Sequence, residues 1–180
     1  DFWGRRLRSD VPIQVLATFD ALECDAGGAV LGAAGAWNLI RDFPNAGRTG
    51  TWYPSALANK LAGVRIIASN DPFDSADIIA FFNGNLGKPG CLNGISFYLG
   101  LDGKAAPNQI DLLTTVLHEV GHGLGFQNFT DEATGEQLAG FPSIWDHLLL
   151  DPAQGRDWTQ MNNQERVLSA ITPRNLVWNG

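Results

Sequence analysis

The chain of 180 residues carries 12 Lys and Arg against 19 Asp and Glu, for a net charge of −7, and 44% of its residues are hydrophobic. A single domain of this length buries roughly 70% of its unfolded surface and can form a core without a disulfide. The acidic balance argues against a nucleic-acid partner, which requires a basic surface. No apolar run approaches the ~18 residues of a membrane span, so no membrane partner is expected either.

The first predicted element is the end of a helix. Residues 1–8 place Phe2, Trp3 and Leu7 between Arg residues, which is typical of an amphipathic helix. The short basic cluster Arg5-Arg6-Leu7-Arg8 is interpreted as a solvated helix face, with contact to a polyanion as the alternative. Because the sequence starts in the middle of this element and no segment has the composition of a signal peptide, we expect a mature or trimmed form.

Hydrophobic periodicity and turn residues predict an α+β protein. Residues 11–19 alternate apolar with polar or small residues, as a strand with one buried face does. Pro54 precedes good helix formers and Gly63 supplies a stop, which predicts a helix over 55–61. The full prediction has strands at 11–19, 26–35, 77–82 and 95–99, a loop at 42–54, and helices at 55–61, 109–124, 144–150 and 163–171. No repeat or linker divides the chain, so we predict one domain over residues 1–180, truncated at one or both ends.

Cys24 and Cys91 are the only cysteines, and neither belongs to a CxxC pair, which argues against a cysteine-ligated zinc site. We predict a disulfide between them, with two buried free thiols as the alternative. A bond that closes so long a loop stabilises by roughly 4 kcal/mol in the chain-entropy model. Since disulfides persist in oxidising compartments, the prediction is a secreted protein, extracellular or periplasmic. The sequon Asn128-Phe129-Thr130 is weak support that holds only for eukaryotic secretion.

The segment that carries chemistry is His118-Glu119-Val120-Gly121-His122. On a helix, residues four apart lie about 40° apart around the axis, so the two imidazoles face one metal ion. Glu119 lies one position further round, where it can take a proton from a zinc-bound water without being a ligand. The chain has only three His, which favours a zinc site over a chance pairing. A purely structural zinc, the alternative, would have no use for Glu119.

The helix that carries this motif is predicted over 109–124. Asn108 is its expected N-cap, and Asp111 lies in its first turn, where a negative charge suits the helix dipole. The glycines at 121, 123 and 125 cost about 1 kcal/mol each inside a helix relative to Ala, which predicts a helix end just after the second His. One apolar stripe lies nearly opposite the two His and is expected to face the core: Leu113, Val116, Leu117, Val120 and Leu124.

With Gly125 included, the segment HEVGHGLGF resembles the motif of metzincin zinc endopeptidases, HExxHxxGxxH or HExxHxxGxxD, whose helix breaks at that glycine. Residues 112–126, 95–102 and 158–178 are also similar to secreted bacterial metallopeptidases that often carry an inserted protease-associated domain. The resemblance covers most of the chain, but only the zinc motif is highly specific. It implies a metzincin-like catalytic domain with a twisted mixed β-sheet, an active-site helix carrying HEVGH, a mostly helical C-terminal part, and further segments of the same precursor as partners.

The third zinc ligand departs from that pattern. The short motif would place it at Asn128, and an Asn side chain is a poor zinc ligand beside His or a carboxylate. The resemblance to leishmanolysin-like and protease-associated-domain relatives implies a third His much later, followed by a Met-turn, outside residues 1–180. Within the chain, His147 and Asp146 are weak candidates, each with a structural role as the alternative. Met161, the only Met, has surroundings typical of a helix start rather than of a Met-turn.

These features predict a zinc-dependent endopeptidase that acts on a protein or peptide. Zn²⁺ held by His118, His122 and a third ligand lowers the pKa of its water toward about 7. Glu119 takes that proton as general base and later passes it to the leaving amine. The resemblance further implies that a substrate strand pairs with a sheet edge, and we predict the edge at residues 95–99.

Other interpretations stay open at this point. One unassigned ligand leaves a catalytically incomplete zinc-binding fragment or module as the main alternative. A gluzincin would use a downstream Glu such as Glu136 or Glu165, although the break at Gly125 disfavours it, and a cysteine hydrolase using His147 is the remotest alternative. Three aspartates are interpreted as turn and cap residues rather than as calcium ligands: Asp71, Asp74 and Asp77.

Overall fold

A computed structural model describes residues 2–180 and shows the mixed α+β structure that the periodicity predicts. The helices are α1 (Phe2–Arg6), α2 (Ser55–Ala62), α3 (Pro72–Ser75), α4 (Leu112–Leu124) and α5 (Asn163–Ile171). The strands are β1 (Val15–Asp20), β2 (Gly32–Ala36), β3 (Leu39–Ile40), β4 (Tyr53–Pro54), β5 (Ile78–Asn83), β6 (Ser96–Tyr98), β7 (Gln109–Asp111), β8 (Leu149–Asp151), β9 (Arg156–Asp157) and β10 (Val177–Trp178).

The main sheet has three strands in the order β1-β5-β2. β1 runs parallel to β5 and β2 runs antiparallel to it, so the predicted mixed sheet is confirmed. The central strand is the most buried, with Ile78 fully buried and Ala80 1% exposed. β1 begins at Val15, later than the period-2 pattern predicts, and Pro12 lies in the segment before it. Proline has no N–H to donate to a sheet, which is consistent with the late start.

Helix α4 packs on this sheet through its small residues. A Cβ on Gly123 would overlap the Ile78 side chain of β5, and a Cβ on Gly32 of β2 would come within 3.0 Å of Glu119 Cγ. Thr115, Glu119 and Gly123 are accordingly buried, and their spacing of four places them on one face of the helix. Glycine at these two contacts lets the backbones approach, which brings Glu119 against the sheet.

The apolar stripe of α4 does not form the core contact that its spacing predicts. All five of its residues are only partly buried, because the glycine-bearing face occupies the sheet. Val120 and Leu124 instead line a cavity of 340 Å³ beneath α1, together with Trp3 and Leu7. Helix α1 therefore covers this side of α4.

Both ends of α4 are set by local hydrogen bonds. The prediction of Asn108 as N-cap is wrong, because residues 109–111 pair with β6 as the parallel strand β7. Asp111 is the N-cap, and its carboxylate accepts a hydrogen bond of 2.8 Å from the Thr114 N–H. The predicted helix break is confirmed: Gly125 adopts a left-handed conformation at φ 120° and caps the C-terminus.

Several other predicted elements are confirmed. Helix α2 ends at Gly63, which is left-handed at φ 72°. Helix α5 begins with a capping box between Asn162 and Glu165, directly after Met161, as the helix-start interpretation of that residue requires. The disulfide joins Cys24 to Cys91 with 5.1 Å between their Cα atoms, and the alternative of free thiols is wrong. None of the helices within residues 2–180 is long and apolar enough to cross a membrane.

The prediction of a mostly helical C-terminal part is wrong. Residues 144–150, expected to be a helix, form a 3₁₀ turn at Asp146–Leu148 followed by strand β8. β8 is the centre of a small antiparallel sheet of order β10-β8-β9, in which Leu149 pairs with Trp178. A short apolar run is compatible with either a helix or a strand, and here the long-range pairing with the C-terminal residues decides.

Candidate metal centre

The two histidines of the motif converge on one point. His118 and His122 lie one turn apart on α4, and their Nε2 atoms are 3.1 Å apart. The ring planes are nearly perpendicular, at 87°, with centroids 4.7 Å apart. His118 is exposed and His122 is partly buried, so the pair faces outward from the helix toward solvent.

The backbone after α4 fixes the orientation of His122. Its Nδ1 lies 2.9 Å from the Phe126 carbonyl oxygen, which the left-handed turn at Gly125 brings back toward the helix. A carbonyl oxygen can only accept, so the proton of this hydrogen bond belongs to Nδ1. In the neutral ring, the lone pair is then on Nε2, the atom that faces His118. A metal-binding His typically has such a partner on its other nitrogen.

Glu119 lies between the histidines in sequence and at the bottom of a cleft in space. Its side chain is only 8% exposed and packs against Gly32 of β2. The cleft has a volume of 530 Å³ and is lined on one side by residues of α4 and β7 and on the other by the segment that leads into β2: Ile110, Asp111, Thr114, Thr115, His118 and Glu119, opposite Val30, Leu31 and Gly32. The carboxyl group and one imidazole therefore share a groove large enough for part of a peptide.

The donor set fits a zinc ion in part. Two nitrogens bound at about 2.0–2.1 Å to one tetrahedral zinc are roughly 3.3 Å apart, close to the 3.1 Å observed between the Nε2 atoms. Within residues 2–180, however, no group of three His, Cys, Asp or Glu side chains could hold a metal. The described residues thus offer two candidate ligands and the adjacent carboxylate.

His147, a weak in-chain candidate for the third ligand, has a partner of its own outside this set. Its Nε2 is 3.1 Å from the Thr51 hydroxyl. Burial and the nearby Arg48 lower the pKa of the imidazole below its usual value, against a smaller opposing effect of Asp157. A neutral ring bound to a hydroxyl is a structural histidine, the alternative that the sequence left open.

Asp146 is likewise occupied elsewhere. It is fully buried, and its Oδ2 accepts hydrogen bonds from the Ser143 N–H at 2.7 Å and the Thr130 hydroxyl at 3.1 Å. Burial raises the pKa of this carboxyl, while these hydrogen bonds and the charge of Arg166 act in the opposite direction. Asp146, the other weak candidate for the third ligand, therefore closes a turn through its Oδ2.

Three of the remaining acidic candidates have structural partners. Glu165 pairs with Arg156 at 2.7 Å and completes the capping box of α5. Asp71 is the N-cap of α3, as the interpretation of the aspartates as cap and turn residues predicts. Asp77 is instead buried and pairs with Arg65 at 3.2 Å. Both cysteine sulfurs are in the disulfide, so neither is a free nucleophile.

Two features of the site were not predicted from the sequence. The cleft wall is formed by residues 30–32, whereas the predicted substrate edge, residues 95–99, forms β6 in a separate two-stranded sheet with β7. The only local signal was Gly32, in a segment rich in Gly and Ala. The second feature is the Phe126 carbonyl, which no side-chain pattern reveals.

Comparison of the chain with family models, with curated proteins and with solved structures gave no match.

Proposed function

We propose that this chain is the catalytic domain of a secreted, zinc-dependent endopeptidase of metzincin type. The observation that carries the proposal is the convergence of the His118 and His122 Nε2 atoms to 3.1 Å, beside a cleft that contains Glu119. The left-handed turn at Gly125, where the metzincin-like motif has its glycine, supports the same interpretation. The disulfide supports an oxidising compartment.

The chain's own residues would act as follows. His118 and His122 would hold the metal, and a bound zinc ion supplies a Lewis acid that lowers the pKa of water toward about 7 and polarises a carbonyl oxygen. Glu119, which packs against β2, would take the proton of the attacking water and return it to the leaving amine. Glu119 is only 8% exposed, which limits the contact of bulk water with its side chain.

The substrate would lie along β2. This strand is at the edge of the main sheet, hydrogen-bonded on one side to β5, and the residues leading into it form one wall of the cleft. An extended peptide can add to such an edge through main-chain hydrogen bonds. We therefore propose the β2 edge for substrate pairing, in place of the edge at residues 95–99.

The test combines metal content with cleavage of an unstructured protein such as casein. Glu119→Ala should retain zinc and lose about two to four decades of rate, whereas His118→Ala and His122→Ala should lose the metal as well. Glu132→Ala removes an exposed carboxylate and serves as the matched control, with unchanged rate. Wild-type activity in the Glu119→Ala protein would refute the proposed mechanism.

A zinc-binding module without catalysis is the second candidate. It is favoured by the finding that residues 2–180 contain no third metal-binding side chain near the two histidines. Zinc bound at one equivalent without any cleavage of casein would support this alternative. The burial of Glu119 beside the cleft, which a binding module does not need, favours the endopeptidase.

A further inference from the structure

We propose that Phe126 and the three tryptophans around it position His122 for metal binding. We name this group the aromatic clamp: Trp3, Phe126, Trp145 and Trp178. The inference rests on the proposed zinc site, because it concerns the orientation of one of its two ligands. Phe126 acts through His122 and is a positioning residue.

The first step is the hydrogen bond between Phe126 and His122. The carbonyl oxygen of Phe126 lies 2.9 Å from Nδ1 of His122. This carbonyl follows Gly125, a residue whose backbone is free to adopt many conformations. The 3.1 Å approach of the two Nε2 atoms thus depends on something that fixes the backbone after the glycine.

The second step is the packing around the Phe126 ring. Its centroid lies 5.3 Å from that of Trp145, 6.2 Å from that of Trp178 and 6.5 Å from that of Trp3. These tryptophans come from α1, from the turn before β8 and from β10, so three distant parts of the chain meet at this one residue. Trp145 and Trp178 also contact each other, with centroids 4.3 Å apart.

The third step is that the clamp is tied to the motif helix itself. The indole N–H of Trp3 donates to the carbonyl oxygen of Leu117, the residue before His118, at 3.2 Å. The clamp therefore contacts α4 at the residue before His118. It also holds the backbone carbonyl that contacts His122. Both attachments act on the relative position of the two imidazoles.

The exposure of Phe126 favours a role in positioning His122 over a role in filling the core. Its side chain is 51% exposed and Trp178 is 47% exposed. A residue whose main role is to fill the core is normally buried. Removal of the ring should therefore alter the site more than it alters the folding of the domain.

The experiment measures zinc affinity of the whole chain by competition with a chromophoric chelator. Phe126→Ala should weaken zinc binding by about 10–100-fold, as loss of the partner of a ligating His typically does. Phe126→Tyr, which keeps the ring, should restore the affinity. Phe73→Ala removes a ring of similar exposure, 54%, from α3 outside the clamp, and should leave zinc affinity unchanged.

A second readout needs no metal. In the zinc-free protein, ¹⁵N spectra of His122 should show the tautomer protonated on Nδ1 for the wild type and a mixture of tautomers for Phe126→Ala. Unchanged zinc affinity in Phe126→Ala, or reduced affinity with an unchanged tautomer, would overturn the proposal. Phe126→Leu, which keeps apolar bulk without the ring, gives the same comparison if the Ala variant does not fold. If the wild type binds no zinc, the proposed function fails and metal binding is removed from the inference, and the tautomer comparison then decides whether the clamp positions His122.

Discussion

Two regions of the molecule differ in the side chains that hold them together. Helix α4 meets the main sheet through glycines and apolar groups, with Gly123 against Ile78 and Gly32 against Glu119. The region from residue 130 to residue 178 has a small apolar cluster around Trp158 and, in addition, buried polar side chains such as Arg166 and Asp146, 5% and 0% exposed. We call it the polar region. Because the contact with the main sheet is made on one face of α4, the outward face of the helix can carry the histidines. The polar region uses its buried polar groups to join chain segments.

Removal of Arg166 should have the largest effect on stability and separates the two regions most clearly. Its guanidinium donates to the carbonyl oxygens of Gly135, at 2.7 Å, and of Trp158, at 3.2 Å, as well as to that of Met161. Arg166→Leu should lower the free energy of unfolding by about 3–5 kcal/mol, because the three carbonyl oxygens lose the buried donor that they accept from. Thermal or urea unfolding measures this loss of stability.

Arg156→Leu is the control for this variant. Arg156 is also ion-paired, with Glu165, but its side chain is 36% exposed, and an exposed pair contributes little. Arg166→Leu should leave zinc binding unchanged at temperatures where the protein is folded, because its contacts are in the other region. A comparable loss of stability in both variants would refute the distinction between buried and exposed arginines.

A pair of alanine substitutions in α4 tests the close approach of helix and sheet. At Gly123 a Cβ would overlap Ile78, whereas at Gly121 it would make an ordinary contact of 3.7 Å with Trp3. Gly123→Ala should destabilise by about 1–3 kcal/mol, as overpacking does. Gly121→Ala should stabilise by up to about 1 kcal/mol through helix propensity. Equal effects of the two variants on the unfolding midpoint would contradict the packing described here.

The sequence predicted the first region better than the second, and the reason is physical. The spacing of His118 and His122 follows from the pitch of a helix, and the αL cap at Gly125 follows from the freedom of glycine, so both are local properties. The identity of the N-cap depended on the pairing of β7 with β6, which is not local. That pairing moved the helix start from Asn108 to Asp111.

In the C-terminal region, nothing local distinguished the predicted helix at 144–150 from the observed 3₁₀ turn and strand. The structural role of Asp146 comes from the hydrogen bonds that it accepts from Thr130 and Ser143, and Leu149 is in a strand because it pairs with Trp178. Likewise, the assignment of His147 as a structural residue required Thr51, 96 positions away in sequence. Such partners are visible only once the chain is folded.

The smallest expected effect concerns the pH dependence of the polar region. Burial raises the pKa of Asp146 above its ordinary value of 3.8, so the neutral carboxyl favours the folded state. The stability it contributes is fully present below about pH 3.8 and is lost as the pH rises through the higher pKa of the folded protein. Asp146→Asn keeps a neutral group, and its stability relative to the wild type should increase from pH 4 toward neutral pH.

Asp131→Asn provides a control of opposite sign. The backbone N–H groups of Thr134 and Ala133 lower the pKa of the Asp131 carboxyl, so its contribution is present above the unfolded pKa and is lost as the pH falls through the lower folded one. The stability of Asp131→Asn relative to the wild type should therefore increase toward acid, the reverse of Asp146→Asn. Urea unfolding at a series of pH values measures both slopes. Slopes of the same sign would mean that burial does not determine the direction of the Asp146 pKa shift. The carboxyl groups of the polar region would then behave like those of the exposed surface.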